Sequence, residues 1–220
     1  MTGPEERSPL LEFADLMRHL RTACVWKAEQ THESLARHLV EETHEALEAI
    51  EVGVQTGDWS SLRDELGDVL LQVYFHAVVA EERGAFTLDE VAAGIHAKMV
   101  RRNPHVFGPQ AGQDLTPAQV DELWQQAKAA EKAAEKVGGD GAGSEGDDPT
   151  AGLPPGLPAL LWARKVADRA ARTQRPLDAR PATDASVGQR LLDLVLEARA
   201  AGIDPERALR RAVRDRLDAR

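Results

Sequence analysis

The chain has 220 residues, of which 42% are hydrophobic, 29% charged and 4% aromatic. The hydrophobic fraction is large enough for a packed core, which excludes a wholly disordered chain. A single cysteine, Cys24, excludes an internal disulfide framework and a cysteine-rich zinc site. Residues 1–150 carry 13 Lys and Arg against 28 Asp and Glu, and this acidic body argues against non-specific binding of nucleic acid.

No apolar run approaches the roughly 20 residues that span a bilayer. The N-terminus also lacks a basic start followed by an apolar stretch, which is the pattern of a secretory signal. We therefore expect a cytoplasmic protein with neither nucleic acid nor membrane as a partner.

Segments with apolar residues at helical spacing dominate the first 136 residues. The pattern predicts five helices, over approximately 9–21, 31–54, 60–82, 86–102 and 116–136. Thr87 followed by Glu90, and Thr116 followed by Gln119, are typical of capping boxes at helix starts. The fourth helix should end before Asn103, because a residue that precedes proline avoids the helical region.

The remainder of the chain has a different composition. Residues 137–156 are rich in Gly, Asp and Pro, which predicts a flexible linker between the domain 1–136 and a helical C-terminal segment 157–220. Helical patterns there cover approximately 157–172, 186–200 and 205–218, the last with Asp204 as its cap. Because no segment shows the alternating pattern of a strand, the sequence predicts an all-α fold with a bundle of four to five helices.

Acidic residues recur at helical spacing on the second and third predicted helices. On the second helix, Glu42 falls inside the apolar stripe, Glu45 lies at its edge and Glu41 is more lateral. The third helix is apolar around almost its whole circumference, except for a narrow strip that holds Glu65 and Asp68. A short connection makes the two helices antiparallel neighbours, so the carboxylates can converge. Their mutual repulsion then needs a cation, and hard oxygen ligands suit Mg²⁺ or Mn²⁺.

Two other interpretations of these acids remain open. Glutamates at a spacing of three residues are common on solvated helix faces. The Glu-x-x-His pattern of Glu41 and His44 also occurs in di-iron bundles, which need a second copy on another helix. The Glu65 and Asp68 pair lacks that histidine, which favours the magnesium interpretation.

The same residues resemble the MazG branch of the all-α nucleoside triphosphate pyrophosphohydrolases. The resemblance covers approximately residues 10–136. Its motifs are Glu29-Gln-Thr-His-Glu-Ser-Leu35, Glu41-Glu42-x-x-Glu45, Glu65-Leu-Gly-Asp68, Phe86-Thr-Leu88, Lys98-Met-Val-Arg101-Arg102-x-Pro104-His-Val-Phe107 and Trp124-x-x-x-Lys128.

The resemblance implies a homodimeric enzyme that hydrolyses (deoxy)nucleoside triphosphates to the monophosphate and pyrophosphate, in the cleaning or regulation of nucleotide pools. It implies Mg²⁺, with Mn²⁺ possible, on Glu42, Glu45, Glu65 and Asp68, while Glu41 holds a second ion or orients water. These five acids are the expected catalytic residues.

Cations and aromatic residues complete the implied substrate site. Basic residues also favour helix C-termini through the macrodipole, and a tryptophan is as often a core residue as a stacking surface. The family's basic cluster nevertheless favours a phosphate role for the cations. The expected substrate-binding residues are Lys98, Arg101, Arg102, Trp26, Gln30, Trp124 and Lys128.

Two features depart from the family pattern. Cys24-Val25-Trp26-Lys27 stands where the family usually has Cys-Pro-Trp-Asp, so a proline is lost and an acid becomes a base. In the C-terminal segment, Ser186 and Gln189 align with Glu65 and Asp68, which predicts a shortened second copy of the domain without metal ligands. An unrelated helical tail is the alternative there, and a non-catalytic helical dimer that senses nucleotides or acts as a scaffold is the alternative for the whole chain.

Overall fold

The described part of the chain has an all-α fold, as the sequence predicts. A computed structural model describes residues 7–108, 111–137, 148–172, 177 and 186–218, and these contain helices and turns but no strand. The helices are α1 (Pro9–Ala23), α2 (Val25–Glu29), α3 (His32–Thr56), α4 (Ser60–Glu81), α5 (Leu88–Arg102), α6 (Pro104–Phe107), α7 (Pro117–Val137), α8 (Ala159–Ala170), α9 (Val187–Ala200) and α10 (Pro205–Asp218). Across the described ranges, no helix combines the length and hydrophobicity that crossing a membrane requires.

All eight helices predicted from the sequence are present, and the described residues contain two further short helices that the sequence does not predict. The short helix α2 has five residues and α6 has four. Elements of this length are too short to show an apolar period. Helix α5 ends at Arg102, ahead of Asn103, and Pro104 then begins α6, where its fixed φ and missing N–H are tolerated.

The chain divides into two compact units, Met1–Gly138 and Gly139–Arg220. Helices α1 to α7 belong to the first unit and α8 to α10 to the second. Residues 138–147 of the predicted linker lie outside the described residues. Further along the linker, Arg169 of α8 donates a hydrogen bond to the carbonyl of Ala151 over 2.6 Å. The domain limits drawn from the sequence stay predictions.

Helices α3 and α4 form a tight hairpin, which positions the acidic residues. Gly57 ends α3 in the left-handed conformation, with φ of 78°, and glycine adopts this conformation without the strain that a Cβ would cause. The ring of Trp59 then packs against Gly53, one turn back on α3. The close approach at this turn sends α4 back along α3.

Helix α1 packs against the C-terminal half of α4. Arg18 and Arg21 of α1 pair with Glu81 and Glu82, with Nε to carboxylate distances of 2.9 and 2.7 Å. Beneath these ion pairs lies the hydrophobic core, where burial of apolar surface supplies the main stabilisation. Its buried members are Ala14, Met17, Leu35, Tyr74, Phe75, Val78 and Val79.

Both predicted capping boxes are confirmed. The Thr87 backbone N–H donates to Glu90 Oε2 over 2.7 Å, and the Glu90 N–H donates to Thr87 Oγ1 over 3.2 Å. At the start of α7, Thr116 N–H donates to Gln119 Oε1 over 2.9 Å, with the reciprocal bond at 3.4 Å. Each box satisfies backbone donors that the first helical turn leaves unpaired.

In the second unit, ion pairs connect the three helices. Arg199 of α9 pairs with Asp168 of α8 over 2.7 Å. Arg164 of α8 pairs with Asp204 over 3.0 Å, and Asp204 also caps α10 by accepting from the Arg207 N–H over 3.0 Å. The predicted cap at Asp204 is therefore confirmed.

Candidate metal centre

Three of the predicted acids converge between α3 and α4. One carboxylate oxygen each from Glu42, Glu45 and Glu65 lies within 4.8 Å of the others. Glu42 and Glu65 are partly buried and Glu45 is exposed. The α3–α4 hairpin produces this convergence because it places the acidic edge of α3 beside the polar strip of α4.

The electrostatics of the cluster show how closely the acids face one another. Burial, together with the charges of Asp68, Glu45 and Glu65, raises the pKa of Glu42. Loss of hydration and the negative charge of Glu45 likewise raise the pKa of Glu65. Like charges disfavour the ionised form of each acid, and a cation among them would reverse that effect.

Asp68 lies next to this trio without belonging to it. It is exposed, and its oxygens are not among those within 4.8 Å. Its charge nevertheless raises the pKa of both Glu42 and Glu65, so it faces the same cluster. Asp68 is one helical turn from Glu65, as the sequence spacing predicts.

Glu41 occupies a different position from the other acids. Its carboxylate Oε2 lies 3.0 Å from Nδ1 of His38, one turn earlier on α3, and the side chain is exposed. The trio does not include it. His38 is not among the residues expected from the sequence, although its spacing of three residues from Glu41 is the signal for such a pair.

The donor set fits a hard divalent cation. Carboxylate oxygens from two rigid helices are the ligands that Mg²⁺ and Mn²⁺ prefer, and no sulfur or imidazole belongs to the trio. The raised pKa values of Glu42 and Glu65 indicate a cluster whose charges lack compensation. Glu42, Glu45 and Glu65 could therefore hold a metal ion.

An aromatic surface from α2 borders His38. The Trp26 ring meets the His38 ring edge-on at 6.3 Å and the Phe75 ring at 6.5 Å, and the ammonium of Lys27 lies 5.4 Å from the Trp26 centroid. Trp26 is 51% exposed, so it is not a core tryptophan. Lys27, which stands where the family pattern has an acid, therefore lies against the ring of Trp26.

Gln30 has a local role at the α2–α3 junction. Its amide donates to the Trp26 carbonyl over 2.9 Å and accepts from Ser34 Oγ over 2.8 Å. Ser34 in turn completes the capping box of Thr31 at the start of α3. These bonds fix the orientation of α2, and with it Trp26, relative to α3.

The predicted phosphate-binding cations form a second cluster between α5 and α7. Arg101 and Arg102 both pair with Glu131, and the Arg102 guanidinium lies 5.1 Å from the centroid of Trp124. The Lys128 ammonium lies 5.4 Å from the same ring. The cluster thus unites four of the expected substrate-binding residues. Glu131 is not among the residues expected from the sequence, although it lies on the face of α7 that also carries Trp124 and Lys128.

Lys98 lies one turn before Arg101 and Arg102 on α5 and is partly buried. Within the described ranges, it makes no ion pair with an acid. The roles expected for it, for the two arginines and for the tryptophans stay predictions.

Comparison with known proteins identifies the family. The model of the MazG nucleotide pyrophosphohydrolase domain matches residues 30–107, a range that includes all five acids. The chain is 34% identical over 225 residues to the nucleoside triphosphate pyrophosphohydrolase/pyrophosphatase MazG of Thermotoga maritima, covering 92% of this chain and 80% of that protein.

Other curated relatives match most of this chain. An uncharacterised 26.1 kDa protein of Streptomyces cacaoi is 41% identical over 213 residues, which cover 96% of this chain and 80% of that protein. The nucleoside triphosphate pyrophosphohydrolase of Mycobacterium tuberculosis is 38% identical, and the match covers 95% of this chain and 56% of that protein. A crystal structure of a MazG-related protein from Thermotoga maritima aligns with a TM-score of 0.44 at 23% identity, covering 55% of this chain and 96% of that one.

The chain belongs to the MazG family of nucleoside triphosphate pyrophosphohydrolases.

Proposed function

We propose that this chain hydrolyses nucleoside triphosphates, of ribose or deoxyribose, to the monophosphate and pyrophosphate with Mg²⁺, for which Mn²⁺ can substitute. The observation that carries the proposal is the convergence of Glu42, Glu45 and Glu65 within 4.8 Å in a chain of this family. Asp68 is proposed as a fourth ligand because its charge acts on the same cluster. The role in cleaning or regulating nucleotide pools and the cytoplasmic location stay predictions.

The proposed chemistry divides between the acids and the ion that they hold. A divalent cation supplies charge neutralisation for the phosphates and lowers the pKa of a water molecule. Glu42, Glu45, Glu65 and Asp68 fix its position on two helices. Glu41, exposed and held by His38 at 3.0 Å, is the candidate to accept a proton from the water that attacks the α-phosphorus.

The substrate is proposed to be held by the cationic and aromatic residues. Arg101 and Arg102 bind the triphosphate through guanidinium groups, which match phosphate geometry with paired donors, and Lys98 adds the point charge of its ammonium group. Trp26 and Trp124 are the stacking surfaces for the base, and their exposed or half-buried rings support this role. Gln30 and Lys128 support those two tryptophans through the contacts described above.

We propose a homodimer as the assembly. Leu66 and Val73, on one face of α4, are 52% and 39% exposed in the single chain. Apolar residues at a spacing of seven lie on one face of a helix and favour a helical partner, and a second copy of the chain offers the same face. Sedimentation equilibrium at micromolar concentration tests this, and a species of 24.0 kDa alone would contradict it.

The second unit is proposed to be an accessory, shortened copy of the domain without a metal site. Ser186 Oγ accepts a hydrogen bond from the Gln189 N–H over 3.3 Å, so Ser186 caps α9. The Gln189 amide donates to Asp193 over 3.3 Å. Ser186 and Gln189, which align with Glu65 and Asp68, therefore make hydrogen bonds within α9 and its N-terminal cap. The segment 173–185 that would show the missing acidic helix lies largely outside the described residues.

Hydrolysis in ¹⁸O-labelled water tests the proposed bond cleavage. Attack on the α-phosphorus places the label in the monophosphate and leaves the pyrophosphate unlabelled. Mass spectrometry of the two products distinguishes this from attack on the β-phosphorus, which labels the pyrophosphate. Release of orthophosphate with a nucleoside diphosphate would contradict the proposed reaction. A reaction in EDTA and a reaction with the variant Glu42→Gln are the two negative controls.

A further inference from the structure

The cationic cluster between α5 and α7 is organised around one acid. Glu131 contacts Arg101 through Oε1 and Arg102 through Oε2, and the Nε of Arg102 donates to Oε2 over 2.8 Å. The Glu131 side chain is only 12% exposed, as is that of Arg102, whereas Arg101 is 52% exposed. One carboxylate thus orders two guanidinium groups of consecutive residues.

The geometry leaves donors available for a ligand. A guanidinium group has five N–H donors on three nitrogens, and Glu131 engages only Nε and Nη2 of Arg102. Trp124 covers one side of the same group at 5.1 Å. The Nη1 of Arg102 has no hydrogen-bond partner among the described residues, and half of Arg101 is exposed to solvent.

The charge balance of the three residues favours an anion. Two arginines share one carboxylate, which leaves a surplus of positive charge in a chain whose net charge is −10. Because Glu131 and Arg102 are both almost buried, separating them would leave an uncompensated charge in a poorly hydrated place. We therefore expect the ion pair of Glu131 and Arg102 to remain intact when a ligand binds.

We propose that Glu131 is a positioning residue for triphosphate binding, which holds Arg101 and Arg102 with their remaining donors presented to the phosphate groups. This inference rests on the proposed function, since it assigns the two arginines to the substrate. Glu131 acts through the arginines and does not touch the substrate itself. Pre-ordering them reduces the rotamer entropy that binding would otherwise cost.

The variant Glu131→Gln tests the proposal by removing the charge at nearly constant size. The matched control is Glu122→Gln, which removes one charge from an exposed position on the same helix. We expect Glu131→Gln to raise KM for the nucleoside triphosphate about tenfold and to change kcat by less than about threefold, the size expected for one charged hydrogen bond. Glu122→Gln should leave both parameters unchanged.

A second readout separates this proposal from the proposed function. Calorimetry in EDTA measures the affinity for inorganic tripolyphosphate, which has neither base nor sugar, and we expect Glu131→Gln to weaken it about tenfold. If the unaltered protein releases no pyrophosphate from any nucleotide, the proposed function fails while the calorimetric comparison still decides the role of Glu131.

Three results would overturn the inference. An unchanged KM and tripolyphosphate affinity, with only a lower melting temperature, would show that Glu131 merely fastens α7 to α5. A lower KM would show that Glu131 competes with the triphosphate for the arginines. If Glu131→Gln does not fold, Glu131→Asp replaces it, because aspartate keeps the charge on a shorter side chain. A tripolyphosphate affinity of Glu131→Asp equal to that of the unaltered protein would also contradict a positioning role.

Discussion

Nδ1 of His32 lies 2.9 Å from Nδ1 of His76, and the two imidazole rings are parallel, with centroids 5.2 Å apart. The contact joins the first turn of α3 to the middle of α4. One nitrogen donates and the other accepts, so the pair cannot persist when both rings are protonated. Burial and the neighbouring His32 lower the pKa of His76.

This pair predicts a loss of stability in weak acid. Because the pKa of His76 is lower in the folded than in the unfolded state, the unfolded state binds more protons once the pH falls below its usual value of about 6.5. We expect the melting temperature to fall between pH 7.5 and 5, and His76→Gln to reduce that dependence. His96→Gln, an exposed position on α5, is the control. If the melting temperature of His76→Gln falls with pH as steeply as that of the unaltered protein, the prediction is wrong.

The acidic cluster predicts the opposite pH dependence in the metal-free protein. The folded state raises the pKa of Glu42, so folding is favoured while this acid is protonated, and that advantage is lost as the pH rises through the raised value. In EDTA at pH 8, Glu42→Gln should therefore raise the melting temperature, by about 2–4 °C. Mg²⁺ should stabilise the unaltered protein and not the variant.

Thermal melts with and without Mg²⁺ check this prediction, with Glu122→Gln as a variant of equal charge change. Equal stabilisation of Glu42→Gln and the unaltered protein by Mg²⁺ would place the ion elsewhere. A lower melting temperature of Glu42→Gln in EDTA would show that repulsion within the cluster does not limit stability.

The parts of this structure that sequence predicts well are those set by local spacing. The Thr87 and Glu90 box follows from backbone donors three residues apart, and the convergence of Glu42 with Glu65 follows from two helical periods and a short turn. Nothing local, however, links Arg102 to Glu131, because their contact depends on how α5 packs on α7. The same holds for His32 and His76, which are 44 residues apart.

The α3–α4 turn offers a prediction about packing. A Cβ on Gly53 would lie 2.5 Å from Cε3 of Trp59, so Gly53→Ala should destabilise the fold by about 1–3 kcal/mol through overpacking. Gly94 lies within α5 with nothing within 4 Å of such a Cβ. Gly94→Ala should therefore stabilise by about 0.5–1 kcal/mol, the ordinary helical preference for alanine.

Urea unfolding of both variants measures these differences. The combination of Gly53→Ala with Trp59→Ala should cost less than the sum of the two single changes, since the second removes the ring that the new methyl group meets. Destabilisation of equal size at Gly53 and Gly94 would refute the proposed contact with Trp59.

The division into two units predicts that the second is dispensable for chemistry. All five proposed catalytic acids belong to Met1–Gly138, which has its own core. A protein truncated after Gly138 should retain kcat within about threefold, a change of under 1 kcal/mol in the barrier. Loss of both metal binding and turnover in a truncated protein that remains helical by circular dichroism would show that the second unit completes the site.

The proposed function of the Glu42, Glu45 and Glu65 cluster is to hold the metal ion for the release of pyrophosphate from nucleoside triphosphates. The most direct measurement follows pyrophosphate and monophosphate from a panel of ribo- and deoxynucleoside triphosphates, with Mg²⁺ and with EDTA, for the unaltered protein and Glu42→Gln. We predict equal amounts of both products with Mg²⁺, none with EDTA, and a loss of at least about a hundredfold in the variant. Binding of nucleotide without turnover in the presence of any metal would contradict the proposed hydrolysis and indicate a sensor or scaffold instead.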